Sequence, residues 1–254
     1  MEVTFLGTGT SQGVPVIACN CEVCQSNDFK DSRLRTSIMV SNGGKNVVID
    51  SGPDFRAQML REKVQSLEAI VFTHEHKDHI AGTDDVRAFN FKQKKDMDLY
   101  ATPAVEKALK REFYYAFGEK KYPGVPLLNI VNIDKETSFE VADLTFKPLE
   151  VMHYKMPVLG FRIGDFAYIT DAKTIAPEEY EKLRGVKVLV LNALRKEEHL
   201  SHLNLEEAIE IVKDLKPEKA YFTHISHLMG THEEVSQELP ENISIAHDGL
   251  KISV

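Results

Sequence analysis

The sequence predicts an α/β fold in which two sheets are backed by outer helices, a four-layer αβ/βα sandwich. Three observations point there. Short apolar runs recur along the 254 residues, the two halves share an outline of strands followed by a helix, and the buried run Ala69-Ile70-Val71-Phe72-Thr73 ends on the densest polar cluster in the chain. An order of this kind packs two sheets face to face with the helices outside. No strong linker and no fixed-period repeat divides the sequence, so residues 1–254 are expected to form one domain.

In chain order, Val3-Thr4-Phe5-Leu6 reads as a strand, and residues 7–15 as the glycine-rich loop after it. That loop lacks the closing Gly-Lys-Ser/Thr of a phosphate-binding P-loop. Residues 36–40 and 46–50 flank Asn42-Gly43-Gly44, a hairpin signal. Residues 55–62 read as a helix, and 69–73 as a buried strand. Thr102 caps a helix over 104–113 with Pro103 at its first position. Residues 118–132, rich in Pro and Gly, read as a loop. A second strand-rich set covers 139–141, 144–149, 158–163 and 166–169, with another buried strand at 186–191. Asn204 caps a helix running to Leu215, with Glu206 and Glu207 in its first turn. Short strands follow at 220–222 and 243–245.

Composition narrows the classes of function. Thirty-one basic and 39 acidic residues give a net charge of −8, a poor basis for holding long nucleic acid on the general surface. No apolar run approaches the ~20 residues of a membrane span. The first residues carry no basic segment ahead of an apolar one, so no signal peptide is expected and the cytoplasm is the expected location. The three cysteines, Cys19, Cys21 and Cys24, form an odd and tightly spaced set. That favours metal ligation over a disulfide framework.

The strongest signal is His74-Glu75-His76-Lys77-Asp78-His79. His74 and His76 can project toward one point from an irregular loop, while Asp78 and His79 reach a neighbouring one. Imidazole and carboxylate donors suit Zn, Mn, Fe or Ni. His74-x-His76-x-Asp78-His79 resembles the signature of the metallo-β-lactamase superfamily. The resemblance implies a metallo-β-lactamase αβ/βα sandwich with two catalytic divalent metals, Zn or Mn. One would be held by His74, His76 and His153, the other by Asp78, His79 and His224, with Asp171 bridging. Each further candidate follows a predicted strand. Asp171 stands where the antibiotic-hydrolysing members carry a thiolate, and an all-nitrogen-and-oxygen site is similar to the phosphodiesterase branch. Asp50, after Ile49, matches the aspartate that orients a ligand histidine in this superfamily.

Cys19-x-Cys21-x-x-Cys24 supplies three thiolates and leaves a tetrahedral zinc one donor short, with His227 the best fourth. A cysteine cluster joined by a distant histidine resembles the branch that includes the cyclic ribose phosphate phosphodiesterases of bacterial phosphonate breakdown. There it holds a structural zinc. His202, in His199-Leu200-Ser201-His202-Leu203-Asn204-Leu205-Glu206-Glu207-Ala208, is similar to the proton-donating histidine of the tRNA 3′-processing endonucleases and their phosphodiesterase relatives. His199 is the alternative acid. Tyr154, Arg56 and Arg87 are weaker candidates for phosphate contacts.

The expected activity is hydrolysis of a small or cyclic phosphodiester, with His202 protonating the leaving oxygen and Asp78 among the reacting groups. Two alternatives stay open: a tRNA 3′-endonuclease, disfavoured because Lys92-Gln93-Lys94-Lys95 is the only concentrated basic patch, and an accessory protein similar to that of pyrroloquinoline quinone biosynthesis. No membrane partner is expected, and homodimerisation is left open.

Overall fold

The structure, a computed structural model, describes residues 1–118 and 122–254. The strands are β1 (Glu2–Gly7), β2 (Ser37–Asn42), β3 (Lys45–Ile49), β4 (Ala69–Val71), β5 (Met97–Ala101), β6 (Leu128–Asn132), β7 (Phe139–Val141), β8 (Leu144–His153), β9 (Met156–Ile163), β10 (Phe166–Ile169), β11 (Thr174–Ile175), β12 (Val188–Asn192), β13 (Lys219–Thr223), β14 (Ile243–Ile245) and β15 (Lys251–Ser253). The helices are α1 (Glu22–Gln25), α2 (Phe55–Arg61), α3 (Lys77–Ile80), α4 (Arg87–Gln93), α5 (Pro103–Glu112), α6 (Tyr114–Phe117), α7 (Pro177–Glu181), α8 (Leu205–Leu215) and α9 (His232–Glu238).

One sheet has the order β15-β1-β2-β3-β4-β5-β6 and the other β11-β8-β9-β10-β12-β13-β14, with β7 paired to β8. Each begins with antiparallel pairs and ends with three parallel ones, β3-β4-β5-β6 in the first and β10-β12-β13-β14 in the second. The similar outline of the two halves in the sequence is thus a repeated strand pattern.

Period-two alternation sorts the side chains into layers. Ile38, Val40, Val47, Ile49 and Val71 of the first sheet share a core with Phe161, Tyr168, Val188 and Val190 of the second. The opposite face of the first sheet, with Met39, Val48, Ile70 and Leu99, packs on Phe55, Met59, Val105 and Leu109 from α2 and α5. The outer face of the second, with Ala167, Ile169, Leu189 and Leu191, packs on Ala208, Val212 and Val235 from α8 and α9. The predicted four layers are therefore present. Among the described residues, no helix is long and apolar enough to cross a membrane.

The local signals act as expected at the β2–β3 hairpin, where Gly43 and Gly44 take φ of 55° and 81°. Thr102 accepts from Val105 N at the start of α5, and Asn204 forms a reciprocal capping box with Glu207 at the start of α8. The expected loop over 118–132 is wrong at its end. Residues 119–121 lie outside the described residues, but Leu128–Asn132 is strand β6, paired in parallel with β5. An edge strand needs only one partner and one covered face, so Leu128-Asn129-Ile130-Val131-Asn132 gives a weak apolar signal beside the prolines.

Candidate active site

The histidine cluster leaves the sheet where β4 stops, and α3 begins at Lys77. Gly52 lies beneath this loop, where a Cβ would overlap the Asp78 carbonyl oxygen. Ser51 N donates to His79 O and Gly82 N to Ser51 O, both at 2.8 Å, so the turn after β3 and the cluster share one backbone frame. His153 is the last residue of β8, Asp171 follows β10 and His224 follows β13. β3, β4, β8, β10 and β13 thus deliver Asp50, the histidine cluster, His153, Asp171 and His224 at strand ends. Asp50, Asp171 and His224 have φ of 67°, 57° and 58°. Residues with a Cβ hold this left-handed conformation at a cost of about 1–3 kcal/mol, which the surrounding sheet ends must offset.

Three groups of donors converge, each within 4.8 Å: His74, His79 and Asp171; Asp78, His79 and His224; and His153, Asp171 and His202. His79 Nε2 lies 3.3 Å from both Asp78 Oδ2 and Asp171 Oδ2, and His224 Nε2 lies 3.2 Å from Asp171 Oδ1. The exposed His76 enters none of these close groups. Its ring sits 4.7 Å from that of His74 and 5.2 Å from that of His153. His74, His76 and His153 are therefore brought together as neighbouring rings, while Asp78, His79 and His224 converge atom on atom.

Hydrogen bonds set the tautomers. Asp50 accepts from His79 Nδ1 at 2.7 Å, which turns Nε2 toward the cluster. Thr73 Oγ1 donates to Asp50 Oδ2 at 2.8 Å and so can accept from His74 Nδ1 at 2.9 Å. His153 Nδ1 donates to the carbonyl oxygen of Ser201 at 2.9 Å. The sequence carried a hint of Thr73, a hydroxyl directly before His74 at a strand end. Nothing local announced Ser201, which acts through its backbone.

His202 lies over the cluster, its ring stacked 4.4 Å from that of His153 and edge-on 4.8 Å from that of His224, with Nε2 3.9 Å from Asp171 Oδ1. His199 stacks 5.2 Å beyond it. His202, rather than His199, reaches the cluster. Arg87 pairs with Asp84, Arg56 is exposed, and Tyr154 stands half exposed beyond His153.

Burial opposes charge throughout this site, and at Asp171, His79 and His224 the neighbouring charges decide the outcome. For Asp171, burial would raise the pKa, but His224 and His79 hold its carboxyl well below the usual range. Burial works against the His79 imidazolium as well, yet Asp171, Asp50 and Asp78 hold it well above the ordinary value. His224, opposed by burial and favoured by Asp171, is pushed up to about 9. Burial and then His79 drive His74 well below its usual value. These carboxylates stabilise positive charge in their midst, and a divalent cation would serve the same purpose.

The cysteine cluster is a separate site. Cys19 Sγ and Cys21 Sγ each lie 3.3 Å from His227 Nδ1, and Cys24 Sγ lies 3.6 Å away. All four donors fall within 4.8 Å of one another. Zinc with S and N bonds of about 2.3 and 2.0 Å at tetrahedral angles separates such atoms by roughly 3.5 Å, so the donor set matches a closed site. The arrangement ties the loop around α1 to the segment three residues past His224.

A family model described as a β-lactamase superfamily domain matches residues 45–225, most of the chain. The chain belongs to the metallo-β-lactamase superfamily. Within it, the chain is related to the PhnP family. A solved structure described as a new diphosphatase from the PhnP family is 42% identical, with a TM-score of 0.93, covering 100% of this chain and 97% of that one. Zn²⁺-bound PqqB from Methylobacterium extorquens, at 20% identity, shares the fold with a TM-score of 0.83 over 100% of both chains. An octanoyltransferase from Porphyromonas gingivalis (strain ATCC BAA-308 / W83) is 40% identical over 253 residues, 99% of this chain and 51% of that protein. The chain thus spans about half the length of that curated relative.

Proposed function

We propose that this metallo-β-lactamase chain hydrolyses a P–O bond in a small phosphodiester, cyclic phosphodiester or diphosphate, using two divalent cations of the Zn or Mn kind. The carrying observation is Asp171. It is fully buried and placed between His79, His224 and His202 in a cluster built only of nitrogen and oxygen donors. The Nε2 atoms of His74, His79 and His224 are buried without a hydrogen-bond partner, which suits residues meant to face cations. His74, His76 and His153 would hold one ion, Asp78, His79 and His224 the other, and Asp171 both. Cys19, Cys21, Cys24 and His227 would hold a structural zinc.

When bound, the two cations supply Lewis acidity toward the phosphoryl oxygens and lower the pKa of water toward neutrality. Asp50 fixes His79 directly and His74 through Thr73, so both rings keep their Nε2 lone pairs inward. His202 carries the proton for the departing oxygen. Burial and then His224 push its pKa down to about 2, so the imidazole is neutral in the unliganded site. A phosphoryl anion beside it supplies the negative charge that would stabilise the imidazolium.

The diphosphatase relative supports phosphoryl chemistry at this site. The octanoyltransferase name belongs to a protein about twice as long, and none of the three cysteines stands in the His–Asp cluster to accept an acyl group. The basic patch gives a tRNA nuclease little support: Lys92 and Lys95 are engaged by Gln65 and Glu68.

The test is turnover of bis-p-nitrophenyl phosphate and a 2′,3′-cyclic nucleotide by wild type and H202A. Turnover of both is expected. H202A should lose about 10²–10⁴-fold on the cyclic nucleotide, whose alkoxide needs a proton, and far less on the nitrophenyl ester. Equal losses would remove His202 as the acid, and a metal-loaded protein inert toward both would overturn the reading.

A further inference from the structure

The backbone turns away from the sheet where β10 ends, and one buried side chain holds that turn. β10 runs parallel to β12 as far as Ile169, opposite Leu191. Two residues later Asp171 takes φ 57°, and the ladder stops. Asn192, the last residue of β12 and fully buried, bonds the chain in the ladder's stead. Its Oδ1 accepts from Ala172 N at 2.8 Å and its Nδ2 donates to Ala172 O at 2.9 Å. One amide thus satisfies both backbone groups of the residue after Asp171. A buried amide is costly unless both of its ends are bonded, and here both go to a single residue.

The same carbonyl also reaches the loop that carries His202. Leu203 N donates to Ala172 O at 2.7 Å, which occupies the second lone pair of that oxygen. Leu203 directly follows His202, and its own carbonyl accepts at 3.0 Å from Leu194 N, two residues past Asn192. Ala172, Asn192, Leu194 and Leu203 therefore close a ring of hydrogen bonds, within a core that holds Ala172, Ala193 and Leu203. Asp171 and His202 each stand one residue from this ring. They face each other with 3.9 Å between Oδ1 and Nε2.

We propose that Asn192 is a positioning residue: by gripping Ala172 it sets the spacing between Asp171 in the metal cluster and His202, the proton donor. This rests on the phosphodiesterase reading above. Both ends of the Asn192 amide are spent on Ala172, so it offers nothing to substrate or cation and acts through the backbone alone.

The test uses the full chain as wild type, N192A, N192D, H202A and the double variant N192D/H202A. V212A, at a buried α8 residue of the same core, is the control for lost packing. N192D keeps the side-chain volume and the bond to Ala172 N, but sets a carboxylate oxygen against Ala172 O. Titration with Mn²⁺ should give both Asn192 variants an affinity about tenfold below wild type. In the Mn²⁺-loaded variants, turnover of a 2′,3′-cyclic nucleotide should fall about 10²-fold, and of bis-p-nitrophenyl phosphate about tenfold or less. Added to H202A, N192D should cost the cyclic nucleotide no more than it costs the nitrophenyl ester. V212A should lower Tm while leaving Mn²⁺ affinity intact and the two substrates unseparated. Wild-type Mn²⁺ affinity in N192D, an equal affinity loss in V212A, or equal losses on both substrates where H202A separates them, overturns the proposal. The two readings fail separately. A metal-loaded wild type inert toward both substrates removes the hydrolytic reading while the Mn²⁺ titration still decides this one, and turnover with wild-type behaviour in N192D removes only this one.

Discussion

The Asp50 carboxylate has no exposed surface and three donors: Thr73 N at 2.9 Å, Thr73 Oγ1 at 2.8 Å and His79 Nδ1 at 2.7 Å. Burial raises its pKa, and the attraction of His79 works against that rise. It therefore controls two imidazoles, one directly and one through a hydroxyl. D50N keeps the shape and removes the charge that holds the His79 Nδ1 proton in place. Metal affinity, measured by titration with Mn²⁺ or Zn²⁺, should fall about 10–100-fold. Wild-type affinity in D50N would mean that backbone geometry alone aims His79 and that the carboxylate is dispensable.

At the scale of elements, the segment after β13 has two anchors. Ile225 N donates to Thr8 O and Thr10 N to Ile225 O, which fixes the residue after His224 against the N-terminal loop. Three residues past His224, His227 Nδ1 meets the cysteine cluster. C21S should lower zinc content by one per chain and Tm by ~4–8 °C, for a loss of about 2 kcal/mol. Unchanged metal content, read by elemental analysis, would show that Cys19, Cys24 and His227 do not need Cys21. Most of these elements were legible because each has its own local signal: an Asn-Gly-Gly turn, an Asn204 cap, a buried strand ending in His74. Strands β5, β6, β11 and β15 and helices α1, α3, α4, α6, α7 and α9 were not. Lys251-Ile252-Ser253 is a three-residue edge strand whose pairing with β1 depends on a partner some 250 residues away. The ligand candidates were legible for a different reason. Rare residue types at successive strand ends keep their order in the sequence, whereas the shape of the pocket walls depends on loops without such a signal.

At the scale of the whole molecule, Arg33 links segments distant in the chain. Its guanidinium, almost wholly buried, donates to Thr8 Oγ1 at 2.9 Å, to Ala246 O at 2.6 Å and to His232 Nδ1 at 3.4 Å. Asp31 accepts from His232 N at 2.7 Å, so the N-terminal third is joined to the start of α9. No local pattern in the sequence announces a buried arginine of this kind. Arg33 can only donate, so His232 Nδ1 must accept and the ring must be neutral. Burial and then Arg33, with Lys30 and His247 adding to it and Asp28 opposing, push the His232 pKa down to about 4. The folded state therefore resists a proton that the unfolded chain, with an ordinary histidine near 6.5, accepts. The resulting stability is complete above about pH 6.5 and drains away as pH falls toward 4. H232Q can still accept from Arg33 but cannot titrate. Between pH 7.5 and 4.5, wild type should lose about 1 kcal/mol more stability than H232Q, a figure discounted for water's access to the ring. The Tm difference between the two proteins should shift against wild type by ~2–4 °C over that range. Parallel Tm–pH curves would place the acid sensitivity elsewhere, and not at Asp248, whose buried carboxyl has a raised pKa and so gains stability as pH falls.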